Sequence, residues 1–424
     1  MDVFDAIESN VRAYCRRWPT VFSTAAGTKV TDERGREYLD FFTGAGSLNY
    51  GHNHPVLVEG MIDYLRSGGI LNSLDTMTPA KRDFLRILAD HILGPRGMSY
   101  RVQFTGPAGT TAVEAAVRLA RIATGRERIV HLSGSYHGMT RDSIGVSGLG
   151  APRGVPPAIR GVTTVPHEFE QPSAGRAAEE LERAFTAPGS TPPAAFIVET
   201  VQGEGGVRPT TTARLREIER LCRAHGTLLV VDDVQAGCGR TGPFLSFESD
   251  GVEPDVVCLS KSLSGVGLPM GLVLIRPSLD VWDPGEYSGT FRGNNLAFVT
   301  ARLALSEWWS DGALRRSVSQ RSRPLVQGLA AIATRHDWLA PPTGRGLMLG
   351  LPCADRHVAD LVSTLAFAQG LLVETCGRRG EVVKLLPPLT VTKAEVEVAL
   401  QILEHVTDQV AGSRPVGSTL PAAT

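Results

Sequence analysis

The sequence predicts an α/β fold: a large domain built on a mainly parallel sheet flanked by helices, with a smaller α+β domain beside it. Three observations carry this. At 424 residues the chain is too long for one small core. Short, apolar, β-branched runs alternate with helix-period stretches through its middle. Glycine turns and polar residues follow those runs, where a doubly wound sheet places its chemistry. The expected organisation is an N-terminal segment (1–75) joining the small domain, a large domain (76–305), a C-terminal small domain (306–410) and a disordered tail (411–424). Hydrophobic content of 42% and charged content of 21% are ordinary for a globular protein. The net charge of −1, without a basic block, argues against nucleic acid as a partner. No apolar run reaches the length of a membrane span. The acidic start Met1-Asp-Val-Phe-Asp-Ala-Ile-Glu8 does not resemble a signal peptide. Six cysteines without a CxxC pair suggest reduced packing residues in a cytoplasmic protein with no disulfide framework.

In chain order, an opening helix is expected, then two short strands around a turn at Asp32–Gly35. Gly44–Pro55 is a loop, because three glycines and an X-Pro break any element. Its histidines His52 and His54 lack acidic or cysteine partners at metal spacing, so they are read as holding the loop; no metal is expected. A helix follows, with Val58, Met61, Ile62 and Leu65 as its buried face. Arg101–Thr105 reads as a strand, Gly106–Thr111 as a tight turn, and Val113, Ala116, Val117 and Ala120 as a buried helix face. Such a helix start suits a phosphate: free N–H groups and the dipole favour an anion, Gly109 permits close approach, and the Thr110 and Thr111 hydroxyls can add bonds. An ordinary strand-to-helix connection would look similar.

Ile129–Leu132 is a strand ended by Gly134-Ser-Tyr-His-Gly138, in which Tyr136 can lie flat on an aromatic ligand or simply pack. Residues 150–195 hold a Pro/Gly-rich stretch and an amphipathic helix marked by Ala177, Leu181 and Phe185. The strand from Phe196 runs into a loop with two carboxylates, Glu199 and Glu204, suited to acid–base work or to salt bridges. Thr227–Asp233 is an apolar strand ending in two aspartates, of which a buried one needs a cationic partner. Val256–Leu259 is a buried strand followed by Ser260 and Lys261. Gly271–Ile275 is another strand, and a helix rich in Ala, Leu and Trp follows Gly289–Ala297. The C-terminal part alternates helices and short strands; Thr392–Glu395 forms a capping box with Val391 and Val396 as its staple.

Lys261 is the residue around which the chain is organised. Only five lysines occur among 43 Lys+Arg, and none besides Lys261 lies between Lys81 and Lys384. Arginine supplies nearly all the cationic surface, so a lysine at a strand end is less casual here. Unlike arginine, lysine can lose its proton and condense with a carbonyl. A phosphate turn at Gly109–Thr110, a stacking Tyr136, a carboxylate at Asp232 and an amine at Lys261 together ask for one cofactor, pyridoxal 5′-phosphate. Its phosphate, ring face, pyridinium nitrogen and aldehyde need those four groups respectively.

With these residues in view, the chain resembles the class III, or ω-type, aminotransferases of pyridoxal-phosphate fold type I over about residues 15–405. The likeness lies in Asn49–Pro55, Gly109-Thr110, Tyr136-His-Gly138, Glu199–Glu204, Asp232–Gln235, Gly237–Gly242, Lys261 and Gly289-Thr290. It is closest to the diaminobutyrate–2-oxoglutarate aminotransferases, through Val102–Pro107, Asp232–Pro243 and Gly289–Ala301. The resemblance implies transfer of the terminal amine of L-2,4-diaminobutyrate to 2-oxoglutarate, or the reverse, by a ping-pong cycle. Ectoine, siderophore or peptide natural-product biosynthesis would be its setting. It further implies a homodimer with shared active sites and Thr290 reaching the neighbouring subunit's cofactor phosphate. Val234 would lie against the ring, Gln235 near its 3-hydroxyl, and His137 and Glu204 among the cofactor contacts. Glu199, Glu204, Arg292 and Lys384 would meet substrate.

Three departures qualify the likeness. Lys384 stands where ornithine-type relatives carry an arginine that grips a carboxylate, and a lysine offers a point charge instead of a fork. Arg292 stands where many relatives have glycine, and is expected to supply that fork. Asp233 replaces a common glutamate as a structural variation. Alternatives are another ω-aminotransferase acting on ornithine, lysine, GABA or an amine, an aminomutase, or a non-catalytic protein of the same fold.

Overall fold

The computed structural model describes residues 3–149, 161–171, 173–186 and 191–413. Part of the Pro/Gly-rich stretch expected within 150–195, and residues 414–424 of the expected tail, lie outside the described residues. The large sheet has seven strands: β1 (Arg101–Gly106), β2 (Ile129–Leu132), β3 (Val162–Val165), β4 (Ala195–Val198), β5 (Leu228–Asp232), β6 (Val256–Leu259) and β7 (Gly271–Ile275). Their spatial order is β1-β7-β6-β5-β4-β2-β3. β7 pairs antiparallel with both neighbours, whereas β6, β5, β4, β2 and β3 pair in parallel. The reversal follows from the connection: residues 260–270 are too few for a crossover helix, so the chain must turn straight back.

Every residue of β2, β4, β5, β6 and β7 is buried. That explains why these strands read as mainly apolar runs, since both faces are covered. Each large aliphatic side chain so buried contributes about 1.5–3 kcal/mol. The helix α1 (Gly109–Thr124) packs through Val113, Ala116, Val117 and Ala120, the expected face. The helix Ala174–Thr186 likewise buries Ala177, Leu181 and Phe185.

The helix Pro55–Arg66 corrects an expectation. Leu57 is its buried residue; Val58, Met61 and Ile62 are only partly covered and Leu65 is exposed. Periodicity located the helix but not its packed face, because it lies against α2 (Asn295–Trp308) along the side carrying Leu57 and Gly60. The N-terminal hairpin, Lys29–Asp32 and Glu37–Asp40, gains a third strand, Phe22–Ala26. Leu371–Leu372 joins this sheet alongside Glu37–Asp40, so the N-terminal segment is tied to the C-terminal part. In the loop that follows, His52 Nε2 bonds Asp40 Oδ2 at 2.7 Å.

A second antiparallel sheet contains β8 (Met348–Pro352), β9 (Glu374–Cys376) and β10 (Val382–Leu385), with β10 central between the other two. The capping box opens α3 (Lys393–Ser413): Thr392 N donates to Glu395 Oε2 at 2.7 Å, Glu395 N to Thr392 Oγ1 at 3.2 Å, and both staple valines are buried. The helix runs to Ser413, into the stretch expected to be tail. No described helix is long and apolar enough to cross a membrane.

Arg240 joins these parts. Fully buried, it donates to Leu347 O at 3.1 Å, to Pro387 O, and to Asn49 Oδ1 at 2.5 Å. Burial pushes its guanidinium down to about 9. Arg240→Met leaves three buried acceptors without their donor and is expected to cost about 1–3 kcal/mol, read as a lower urea midpoint.

Candidate active site

A cavity of about 300 Å³ lies beyond the carboxyl ends of β1, β2, β4, β5 and β6, and the segment following each contributes to it. After β1 come Ala108, Gly109 and Thr110. Ala108 is the N-cap of α1 and no side chain caps the helix, so its first amides face the cavity mouth as donors. A Cβ on Gly109 would sit 2.7 Å from Val234 Cγ1, so only glycine lets the helix start approach Val234 this closely. The two threonine hydroxyls are already engaged: Thr111 Oγ1 donates to Ala108 O at 2.6 Å, and Thr110 Oγ1 bonds Thr140 Oγ1 at 2.6 Å and Ser143 Oγ at 2.7 Å.

After β2, Tyr136 and His137 line the cavity. His137 is buried, its Nδ1 2.7 Å from Asp232 Oδ2. Burial alone would lower this imidazole; the bond to and charge of Asp232 outweigh it and leave it raised. Asp232 closes β5 and accepts a second bond, from Val234 N at 3.2 Å. The buried aspartate thus has the partner its burial demands. Its neighbour Asp233 is fully buried outside the cavity lining and accepts from Ser246 N at 2.9 Å; burial pushes its carboxyl up to about 7.

After β4, Glu199 and Glu204 line the cavity with different surroundings. Both Glu199 oxygens accept from backbone, Tyr136 N at 2.8 Å and Gly203 N at 3.0 Å. Burial pushes this carboxyl up to about 7. Glu204 instead lies 2.6 Å from Lys384 Nζ on β10. Burial would raise Glu204, but Lys384 and Lys261 bring it below the ordinary carboxylate range. Gln235 Nε2 donates to Ala45 O at 3.1 Å, holding the Gly44 loop against the cavity.

Lys261 follows β6 with φ +50°, opening a one-turn 3₁₀ helix. A non-glycine residue in this region costs about 1–3 kcal/mol and persists only where the surroundings dictate it. Here Ser260 Oγ donates to Met270 O and Ser262 Oγ to Gly46 O, each at 2.7 Å, bracketing the lysine. Burial lowers its ammonium below the ordinary lysine range, although Glu204 pulls against it.

The structure therefore gathers Gly109, Thr110, Tyr136, His137, Glu199, Glu204, Asp232, Val234, Gln235 and Lys261 around one cavity. Lys384 is fully buried behind Glu204. Thr290 and Arg292 do not line it: Thr290 is exposed, and Arg292 bonds Asp75 Oδ2 at 2.5 Å and Tyr287 O at 2.8 Å. Glu374 went unnoticed in the sequence. It is buried, pairs across strands with Lys384, and places Oε1 3.0 Å from Nζ. Reading Leu371–Cys376 and Val382–Leu385 as a hairpin around Gly377–Gly380 would have set the two opposite each other.

An uncapped helix start, an aromatic ring, a buried carboxylate and a strained, buried lysine around one cavity fit pyridoxal phosphate. The fold and site define a pyridoxal-phosphate-dependent transferase of fold type I. The aminotransferase class-III family model matches residues 13–407, and the chain belongs to that family. It is 50% identical to a diaminobutyrate–2-oxoglutarate transaminase of Nocardia farcinica, over 96% of this chain and 94% of that protein. It is 48% identical to another from Streptomyces anulatus, over 97% and 98%. Among solved structures, an ornithine aminotransferase of Toxoplasma gondii superposes with a TM-score of 0.83 at 26% identity, over 97% of this chain and 94% of that one.

Proposed function

We propose that this enzyme transfers the terminal amine of L-2,4-diaminobutyrate to 2-oxoglutarate, giving aspartate 4-semialdehyde and glutamate, or runs the reverse. Near-full-length identity of 45–50% to several proteins named for that reaction carries the reading. When bound, pyridoxal phosphate supplies an aldehyde that accepts the amine and a protonated ring that withdraws electrons. The amides of Gly109 and Thr110 would hold the phosphate, Tyr136 and Val234 would flank the ring, and Gln235 would approach its 3-hydroxyl. Asp232, oriented by His137, would keep the ring nitrogen protonated. The Nζ of Lys261 would anchor the cofactor and, freed as an amine by the incoming donor, would accept the proton from the carbon bearing the donor's amine. Glu199 holds Tyr136 and the Glu204 loop at the substrate end. Glu204 covers Lys384 when the diamine is bound and uncovers it for the carboxylate of glutamate or 2-oxoglutarate.

The same reading makes the enzyme a cytoplasmic homodimer, with residues 1–75 and 306–410 forming a smaller domain against the large domain of 76–305. Exposed Leu65, Ile70, Leu71, Leu74, Met77 and Phe291 support an apolar face for a second copy. In that dimer Thr290 serves the partner's phosphate, and Arg292 supplies the carboxylate fork. Arg292→Ala is then expected to raise the Michaelis constant for 2-oxoglutarate by about tenfold, the loss of a charged hydrogen bond. An unchanged constant removes Arg292 from substrate binding. The function is tested by offering the holoenzyme diaminobutyrate, ornithine, lysine and GABA separately while following the cofactor spectrum. Diaminobutyrate should convert it fastest; a faster change with another donor reassigns the substrate.

A further inference from the structure

Lys384 has two carboxylates where a simple gate needs one. Glu204, whose side chain faces the cavity, lies 2.6 Å from Nζ, and Glu374, almost wholly buried, lies 3.0 Å from it. The partners differ in freedom. Glu204 sits in a loop after β4. Glu374 is fixed on β9 directly opposite Lys384, and its Oε2 accepts from the Tyr14 hydroxyl at 3.1 Å. Moving Glu204 away would strand a fully buried ammonium if it were the sole counter-charge, and an unpaired buried charge is strongly destabilising. Glu374 removes that obstacle. It also stands immediately behind the cation that a substrate carboxylate must approach, and like charges brought together in this way repel. With Glu204 in place Lys384 faces two carboxylates; Lys261 is the other lysine acting on them, and once its amine is neutral the excess of negative charge attracts a cation.

Resting on the Glu204–Lys384 reading above, we propose that Glu374 is a specificity-determining positioning residue. It stays on Lys384 when Glu204 moves, and its charge biases the substrate end of the cavity toward a donor carrying an α-ammonium and against a dicarboxylate. It touches neither substrate nor cofactor and acts through Lys384.

The test compares wild-type, Glu374→Gln and Glu374→Asp holoenzymes. Calorimetry measures the dissociation constant of glutarate, an unreactive dicarboxylate, and the two half-reactions give separate constants for diaminobutyrate and 2-oxoglutarate. Glu374→Gln should bind glutarate about tenfold more tightly and raise the diaminobutyrate constant by a similar factor, while Glu374→Asp, which keeps the charge, stays near wild type. Shifts in the same direction for both ligands, as a loss of packing would give, overturn the proposal, and so does no shift. Should Glu374→Gln not yield folded holoenzyme, Glu374→Met, similar in size and uncharged, takes its place: opposite shifts of the two constants support the role, parallel or absent shifts reject it. The wild-type half-reaction with diaminobutyrate reports on the function separately, because glutarate binding does not depend on which donor reacts.

Discussion

Replacing Lys261 with alanine is expected to lower turnover by on the order of 10⁴-fold, the scale of a lost base acting at the reacting carbon. The fold should survive. The strain at Lys261 is held by Ser260 and Ser262, whose bonds to Met270 O and Gly46 O do not use the lysine side chain. Removing a buried amine also removes its desolvation cost, so the melting temperature of the cofactor-free protein should hold or rise. Two measurements check this: steady-state turnover, and borohydride treatment, which should fix the cofactor to the wild-type chain and not to the variant. Retained turnover, or cofactor fixed elsewhere, would place the amine at another residue.

Asp232→Ala is expected to lower turnover by on the order of 10²–10³-fold, as for a pre-placed electrostatic partner, and to weaken cofactor retention. It also leaves His137 buried without its acceptor. In the wild type the Asp232 bond outweighs burial and raises this imidazole. A raised value means stability that is fully present below the ordinary imidazole range and lost as pH rises through the raised value. In the variant only the charge of Glu199 opposes burial, so that loss on the alkaline side should shrink in melting temperatures recorded against pH. A variant that keeps the wild-type slope would separate His137 from Asp232.

Much of the site was legible because an open α/β sheet puts chemistry where apolar runs stop. Asp232 and Lys261 each close or follow a run with both faces buried, and Tyr136 lies in the turn just past another. Glu199 and Glu204 looked alike in one loop. The fold separates them, giving one to backbone amides and the other to a lysine 180 residues away. Thr111 looked free to bind a ligand, but its hydroxyl returns to Ala108 O. The face of Pro55–Arg66 was misjudged because a helical period says that one side is apolar, not which side a neighbour reaches.

By itself the sequence determined six of the seven strands of the central sheet (β3, Val162–Val165, was missed), the cofactor that their ends demand and the amine that anchors it, because these depend on local patterning and residue chemistry. The tertiary structure alone decided the placing of β7 between β6 and β1, the bridging of separate segments by Arg240 and the second carboxylate on Lys384. Each depends on which distant stretches lie side by side, and neither hydrophobic period nor local propensity encodes that.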